Sequence, residues 1–206
     1  MSELIITEEL VDFWVWIDPK NWLTKHNISQ TGRIFSGGLV GQGKSNLMFI
    51  PNPGFEGDIS TYNLGITNYY NVEYALENFR NEYCPAHPSR LTALFLLPSE
   101  EEAKVYEETH REHVKNRILK KCHSWGKVTF SIHDSSWIDF LRLDGMVDDE
   151  SYNNILGLYW RGKKVQDCGL LHFGERWTQK PAPEVLLMGQ VEFYNRNLDY
   201  SDIDKG

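Results

Sequence analysis

The chain has 206 residues with 29 acidic and 21 basic side chains, a net charge of −8, and 41% of it is hydrophobic. That composition excludes a wholly disordered chain and supplies one domain's worth of core-forming side chains. The acidic balance argues against broad electrostatic binding to nucleic acid, and leaves open a local basic surface or a basic protein partner. No apolar run is long enough to span a membrane, and MSELIITEEL at the N-terminus has no secretory pattern. Cys84, Cys122 and Cys168 include no CxxC pair, so neither a disulfide framework nor a cysteine-built zinc site is indicated. A cytoplasmic protein is expected, with no membrane partner.

In chain order, Leu10–Ile17 (LVDFWVWI) is apolar and aromatic and stops at Asp18-Pro19, which predicts a buried strand. Residues 29–65 are rich in Gly, Ser, Asn and Pro, and predict turns and short strands around Ile34-Phe35 and Leu47–Ile50. Val72, Ala75, Leu76 and Phe79 fall at helical spacing within 69–83. Ser89-Arg90 leads into Leu91–Leu97 (LTALFLL), a predicted buried strand stopped by Pro98. Ser99 then suits a helix N-cap, with Glu100, Glu101 and Glu102 in the first turn, where the helix dipole favours acids. This helix is predicted to run to about Cys122. A strand at Lys127–His133, helices at Ser136–Leu143 and Tyr152–Tyr159, and a strand at Glu184–Phe193 follow. The pattern predicts an α+β single domain over 1–206, with a split, mostly antiparallel β core, flanking helices, and a polar tail at 196–206.

Gly38–Ser45 (GLVGQGKS) matches the phosphate-cradling P-loop expression, in which Lys44 and Ser45 would serve a nucleotide. The loop needs a strand before it and a helix after it. Here the entering apolar run is only two residues, and Pro51 and Pro53 end any helix within two turns. His110 and His113 lie three apart, in reach of a shared metal, but amid charged residues that predict a solvated helix face. Cys84 and His87 stand in a proline-rich turn with no identifiable orienting acid.

The unit Ser89-Arg90, LTALFLL, Pro98-Ser99 and EEEAKVYEE resembles the second strand and following helix of ADP-ribosyltransferase-like domains. Tyr159-Trp160-Arg161-Gly162 and Pro183-Glu184-Val185-Leu186-Leu187 resemble the C-terminal part of the same family, over roughly 87–193. The resemblance implies transfer of ADP-ribose from NAD to a macromolecular acceptor (protein, RNA or DNA), with Glu184 catalytic. It also implies a toxin or phage-conflict effector, with a neutralising antitoxin as a further partner.

On that reading Glu184 stabilises the oxocarbenium-like state as nicotinamide leaves, and assists deprotonation of the acceptor. Arg90 suits the NAD diphosphate through bidentate charge-assisted bonds, with Arg33 and the DFWVWI strand as alternatives for the family's first-strand residue. Ser99 or Ser89 orients the nicotinamide ribose or amide, and Phe95, Tyr159 or Trp160 stacks on the nicotinamide ring. Each residue also has a plain explanation. Glu184 would be a solvated strand-edge charge, Arg90 an ion-pair partner within the chain, Ser99 a helix cap, and Tyr159 and Trp160 packing. Two other functions stand beside transfer: a P-loop hydrolase or kinase, and an acidic, non-catalytic inhibitor. Basic residues at Arg111, Lys115, Arg117, Lys120 and Lys121, read as one helix, or at Arg161, Lys163 and Lys164, offer a local surface for an RNA strand.

Overall fold

The computed structural model describes residues 2–36, 61–143, 149–172, 175–177, 180–196 and 198. In chain order its elements are β1 (Ile5–Thr7), β2 (Asp12–Ile17), α1 (Trp22–Thr31), β3 (Arg33–Phe35), α2 (Thr61–Tyr83), β4 (Leu94–Leu96), α3 (Glu100–Thr109), α4 (Arg111–Val114), β5 (Ile118–Asp134), α5 (Ser136–Leu141), α6 (Asp149–Trp160), a 3-10 turn (Val165–Asp167), β6 (Leu171–His172), β7 (Glu175–Arg176) and β8 (Pro183–Phe193). The architecture is α+β, a wholly antiparallel six-stranded sheet with flanking helices, plus the small β6–β7 hairpin. Among the described residues no helix is long and apolar enough to cross a membrane.

The sheet is built on a β5–β8 ribbon. β2 and β1 line one edge of β5, and β4 and β3 line the free edge of β8. The ribbon bends where the register shifts between Trp125 and Thr129. Gly189 sits at this bend with φ +143°, and a Cβ there would stand 2.8 Å from Val128 Cγ1, so only glycine fits. The bend brings the outer strands together: Trp14 of β2 and Leu97, just after β4, exchange two backbone hydrogen bonds of 2.9 and 2.8 Å.

β8 is covered on both faces. Val185, Leu187, Val191 and Phe193 join Phe13, Val15, Phe130 and Ile28 in one core cluster. Leu186 faces the other way, into a helical cluster of Val72, Leu76, Trp137, Ile155, Tyr159 and Trp160. Burial on both faces explains the unalternating apolar run Val185-Leu186-Leu187.

The predicted helix from Ser99 to about Cys122 is two elements. α3 ends at Thr109, α4 is a single turn, and Ile118–Cys122 already belongs to β5, paired with β2. The tertiary ladder overrides the helical reading of ILKKC, whose branched and basic residues suit an edge-paired strand equally well. Arg111 through Lys121 are therefore not one helix: Arg111 lies on α4, Lys115 and Arg117 in the turn, and Lys120 and Lys121 on β5. α1 was not predicted, and α2 starts at Thr61, within the stretch read as turns. Arg33–Phe35 is a short strand as expected. Gly38–Ser45 lies outside the described residues.

Candidate functional site

Glu184 is fixed from both sides. On β5, Asp134 accepts from the backbone of Ala182 at 2.9 Å, Ser136 at 3.1 Å and Val165 at 3.0 Å, so the chain entering β8 is pinned. Glu184 follows, opposite His133 in the register. It lies on the same strand face as Leu186, toward the helices, and is only 8% exposed. A solvated strand-edge charge is therefore not what this residue is.

Its partners come from three other elements. Tyr159 of α6 donates its hydroxyl to Glu184 Oε1 at 2.8 Å. Arg90, in the loop before β4, donates Nη1 to Tyr159 Oη at 2.8 Å and also to Glu184 Oε1. The other edge of the Arg90 guanidinium is held by Glu73 of α2, with Nε to Oε2 at 2.7 Å and Nη2 to Oε1 at 3.1 Å. Arg142 closes the group on Glu73 Oε1 at 3.3 Å. Two arginines thus face two carboxylates in a mostly buried network, which offsets the cost of taking the charges out of water. Glu184 Oε2 makes no hydrogen bond among the described residues.

The two acids titrate in opposite senses. Burial pushes the Glu184 carboxyl above its ordinary range, against the pull of Arg90 and the Tyr159 hydrogen bond, with Glu73 pushing the same way as burial. Burial alone would raise Glu73 as well. There the charge of Arg90, its paired hydrogen bonds and Arg142 win, and hold the carboxyl below its ordinary range. Behind Tyr159 lies His133, its ring stacked on the phenol at 4.7 Å and 19°. Burial drives its imidazole down to about 3, so it is neutral at physiological pH.

Glu184, Arg90 and Phe95 open on a cavity of about 300 Å³, at the lower end of ligand-pocket size. Phe95 is 46% exposed, and the Arg90 guanidinium lies 5.0 Å from its ring centre. The cavity's other wall was not foreseen as a site. His110, read as solvated, has a side chain only 10% exposed, and its Nε2 lies 3.0 Å from Asp139 Oδ2 of α5. Its ring stacks on Tyr106 at 4.4 Å. Thr109 turns its hydroxyl back to the carbonyls of Val105 and Tyr106 at 3.1 and 3.2 Å, and with these contacts α3 stops at His110. Tyr106 Oη in turn lies 3.3 Å from His113 Nδ1. No group of three or more metal-ligating side chains occurs among the described residues.

The other expected site residues lie elsewhere. Ser89 donates to Glu77 at 2.8 Å. Ser99 caps α3, accepting from Glu102 N at 3.2 Å. Trp160 is in the helical core, with its indole donating to Leu76 O at 3.0 Å. Arg33, on β3, packs over Trp125 at 3.6 Å and faces Glu192 at 3.7 Å. Cys84 is buried and its thiol is pushed up to about 11 by burial, which removes it as a nucleophile. His87 instead holds Ser2, with Nε2 at 3.1 Å from its hydroxyl and 3.2 Å from its carbonyl.

No protein-family model matches the chain, and no curated protein matches it either.

Proposed function

We propose that this protein transfers ADP-ribose from NAD to a macromolecular acceptor, with Glu184 as the catalytic carboxylate and an ADP-ribosyltransferase-like fold around it. One observation carries the reading: Arg90 and Tyr159 fix Oε1 of a buried glutamate, while its Oε2 stays uncommitted at the wall of a cavity. A carboxylate held in this way accepts a hydrogen bond from a ribose hydroxyl. It also places negative charge beside the anomeric carbon as positive charge develops there. The bond between that carbon and the nicotinamide nitrogen breaks with its electron pair leaving on nicotinamide. The acceptor nucleophile then forms the new bond to the same carbon and releases its proton.

The cavity takes the nicotinamide riboside end, with Phe95 available to stack on the nicotinamide ring. Arg90 acts on this reading as the clamp that orients Glu184, because its guanidinium hydrogen bonds among the described residues all go to Glu73, Tyr159 and Glu184. Ser89, Ser99 and Trp160 act through packing and capping.

The test is incubation of the purified protein with labelled NAD and cell extract. Glu184→Gln keeps NAD affinity and loses labelling of the acceptor by about 10²- to 10³-fold. Equal labelling by the two proteins rejects the assignment. Nuclease or protease digestion of the labelled product identifies the acceptor class.

A further inference from the structure

The chain's charge is unevenly spread. Between residues 111 and 121 it carries five basic residues and one acid, whereas the rest of the chain has 16 basic against 28 acidic residues. This basic segment forms α4, the turn after it and the start of β5, and its residues His113, Val114 and Arg117 line the cavity. Arg111 and Arg117 are exposed and form no ion pair among the described residues. None of the acids of α3 lines the cavity, and Glu100 is paired with Lys104 and Glu108 with Lys180. The acids that do line it are engaged elsewhere, Asp139 by His110 and Glu184 by Arg90 and Tyr159.

Beside Arg117, the same wall holds an aromatic residue with an open requirement. Trp16 of β2 pairs with Leu119 of β5, two residues past Arg117. Its ring is on the helix-covered face of the sheet, the face of Glu184, opposite the core side chains Val15 and Ile17. Its indole N–H is buried and finds no acceptor among the described residues. A buried donor without an acceptor is costly, and a ligand carbonyl or phosphate oxygen would satisfy it.

We infer that the acceptor is a single-stranded nucleic acid, which enters the cavity across α4 and the start of β5 with Arg111 and Arg117 on its phosphates and Trp16 against a base. An arginine track interleaved with an aromatic at a cavity mouth is the arrangement that binds unpaired strands, because every base has a stacking face and every nucleotide a phosphate. A duplex hides its bases and keeps them from the cavity. This acceptor assignment rests on the transferase reading, but the binding surface does not need it.

The experiment titrates the full chain, without NAD, into fluorescein-labelled oligo-dT and oligo-rU of twenty nucleotides and follows anisotropy across a salt series. The wild type binds, weakens with salt, and is displaced poorly by duplex of the same length. Arg111→Ala with Arg117→Ala weakens binding and lowers the slope of log affinity against log salt by about 1.4, roughly 0.7 for each lost phosphate contact. Trp16→Leu weakens binding about 5- to 150-fold and leaves the slope unchanged. Lys127→Ala, exposed at the bend of β5 and outside the cavity lining, changes neither. Loss of binding in the exposed arginine variant is read beside an unchanged circular dichroism spectrum and melting curve. The DNA and RNA arms distinguish the two sources of strand. No binding by the wild type, binding indifferent to all three changes, or an acidic peptide that outcompetes the oligonucleotide overturns the inference. Strand binding without NAD-dependent labelling would instead overturn the transferase reading and leave this surface standing.

Discussion

Two arginine–glutamate pairs hang from α2, one turn apart, and they differ in where they end. Glu77 receives Arg80 through two bonds of 3.0 and 2.8 Å, and the Ser89 hydroxyl at 2.8 Å. The remaining Arg80 donor reaches the carbonyls of Pro85 and His87 at 2.9 and 3.1 Å. This pair closes on the polypeptide and ties the 84–90 loop to the helix. Glu73 receives Arg90 just as closely, but the remaining Arg90 donor goes to Tyr159 and Glu184, at a cavity wall. The same residue types thus serve two ends. One pair fixes a loop, and the other fixes a carboxylate with one oxygen still to offer.

The largest effect that sharpens this contrast falls on the closed pair. Arg80→Met strands Glu77 without its counter-charge, and the expected loss is about 3–5 kcal/mol of stability, read by urea unfolding. Transfer per folded molecule stays unchanged. Next comes Glu184→Gln, with its loss of about 10²- to 10³-fold in transfer and a far smaller shift of the unfolding midpoint. If Arg80→Met removed transfer and left stability intact, the distinction between the pairs would collapse.

How much of this was legible follows from sequence distance. The apolar runs of β2, β4 and β8 and the acidic start of α3 declare themselves locally, and Ser99 caps α3 as its spacing with Glu102 predicts. Glu184 stands out because a lone acid follows Pro181 and Pro183 and opens an apolar run, and Arg90 because it leads into a buried strand. Their partners do not. Glu73 lies 17 residues before Arg90, and Asp139 lies 29 residues after His110, so no spacing rule joins them. His110 was hidden by its neighbours: glutamates and arginines around it read as a solvated helix, whereas Thr109 and Asp139 end that helix and draw the imidazole inward. Ile118–Cys122 misled for a related reason. Its pairing with β2, more than a hundred residues earlier, outweighs a local pattern that suits either state.

A third test uses protons on the open pair. The folded state holds the His133 pKa near 3, below its ordinary value, so the unfolded chain binds the extra proton first. Stability is therefore full above about pH 6.5 and falls as pH drops toward 3, by at most about 1.4 kcal/mol per pH unit from this residue. Unfolding measured across that window in wild type and His133→Gln should show the slope flattened in the variant. Glu184 has the opposite sign. Its folded pKa is raised, so its contribution to stability is full below the unfolded value and is lost as pH rises through the folded one. Transfer, which needs the carboxylate, rises over that same limb, above the ordinary carboxyl range. Glu77 is bound by Arg80 and Ser89, and Glu77→Gln should leave the pH profile of transfer where it was.

The smallest expected effect is also the one that separates positioning from packing. Tyr159→Phe keeps the ring stacked on His133 and removes only the hydroxyl that accepts from Arg90 and donates to Glu184, each at 2.8 Å. Arg90 still touches Glu184 directly and still holds Glu73, so the network loses one link, at about 1–2 kcal/mol of stability. That hydroxyl also favours the ionised form of Glu184, since its hydrogen bond pulls the carboxyl down against burial. Without it the acid limb of transfer moves to higher pH, and most of the rate returns once the pH exceeds the new limb. A rate lowered equally at every pH, with the limb unmoved, would instead assign Tyr159 to the packing of α6 and take it away from the carboxylate.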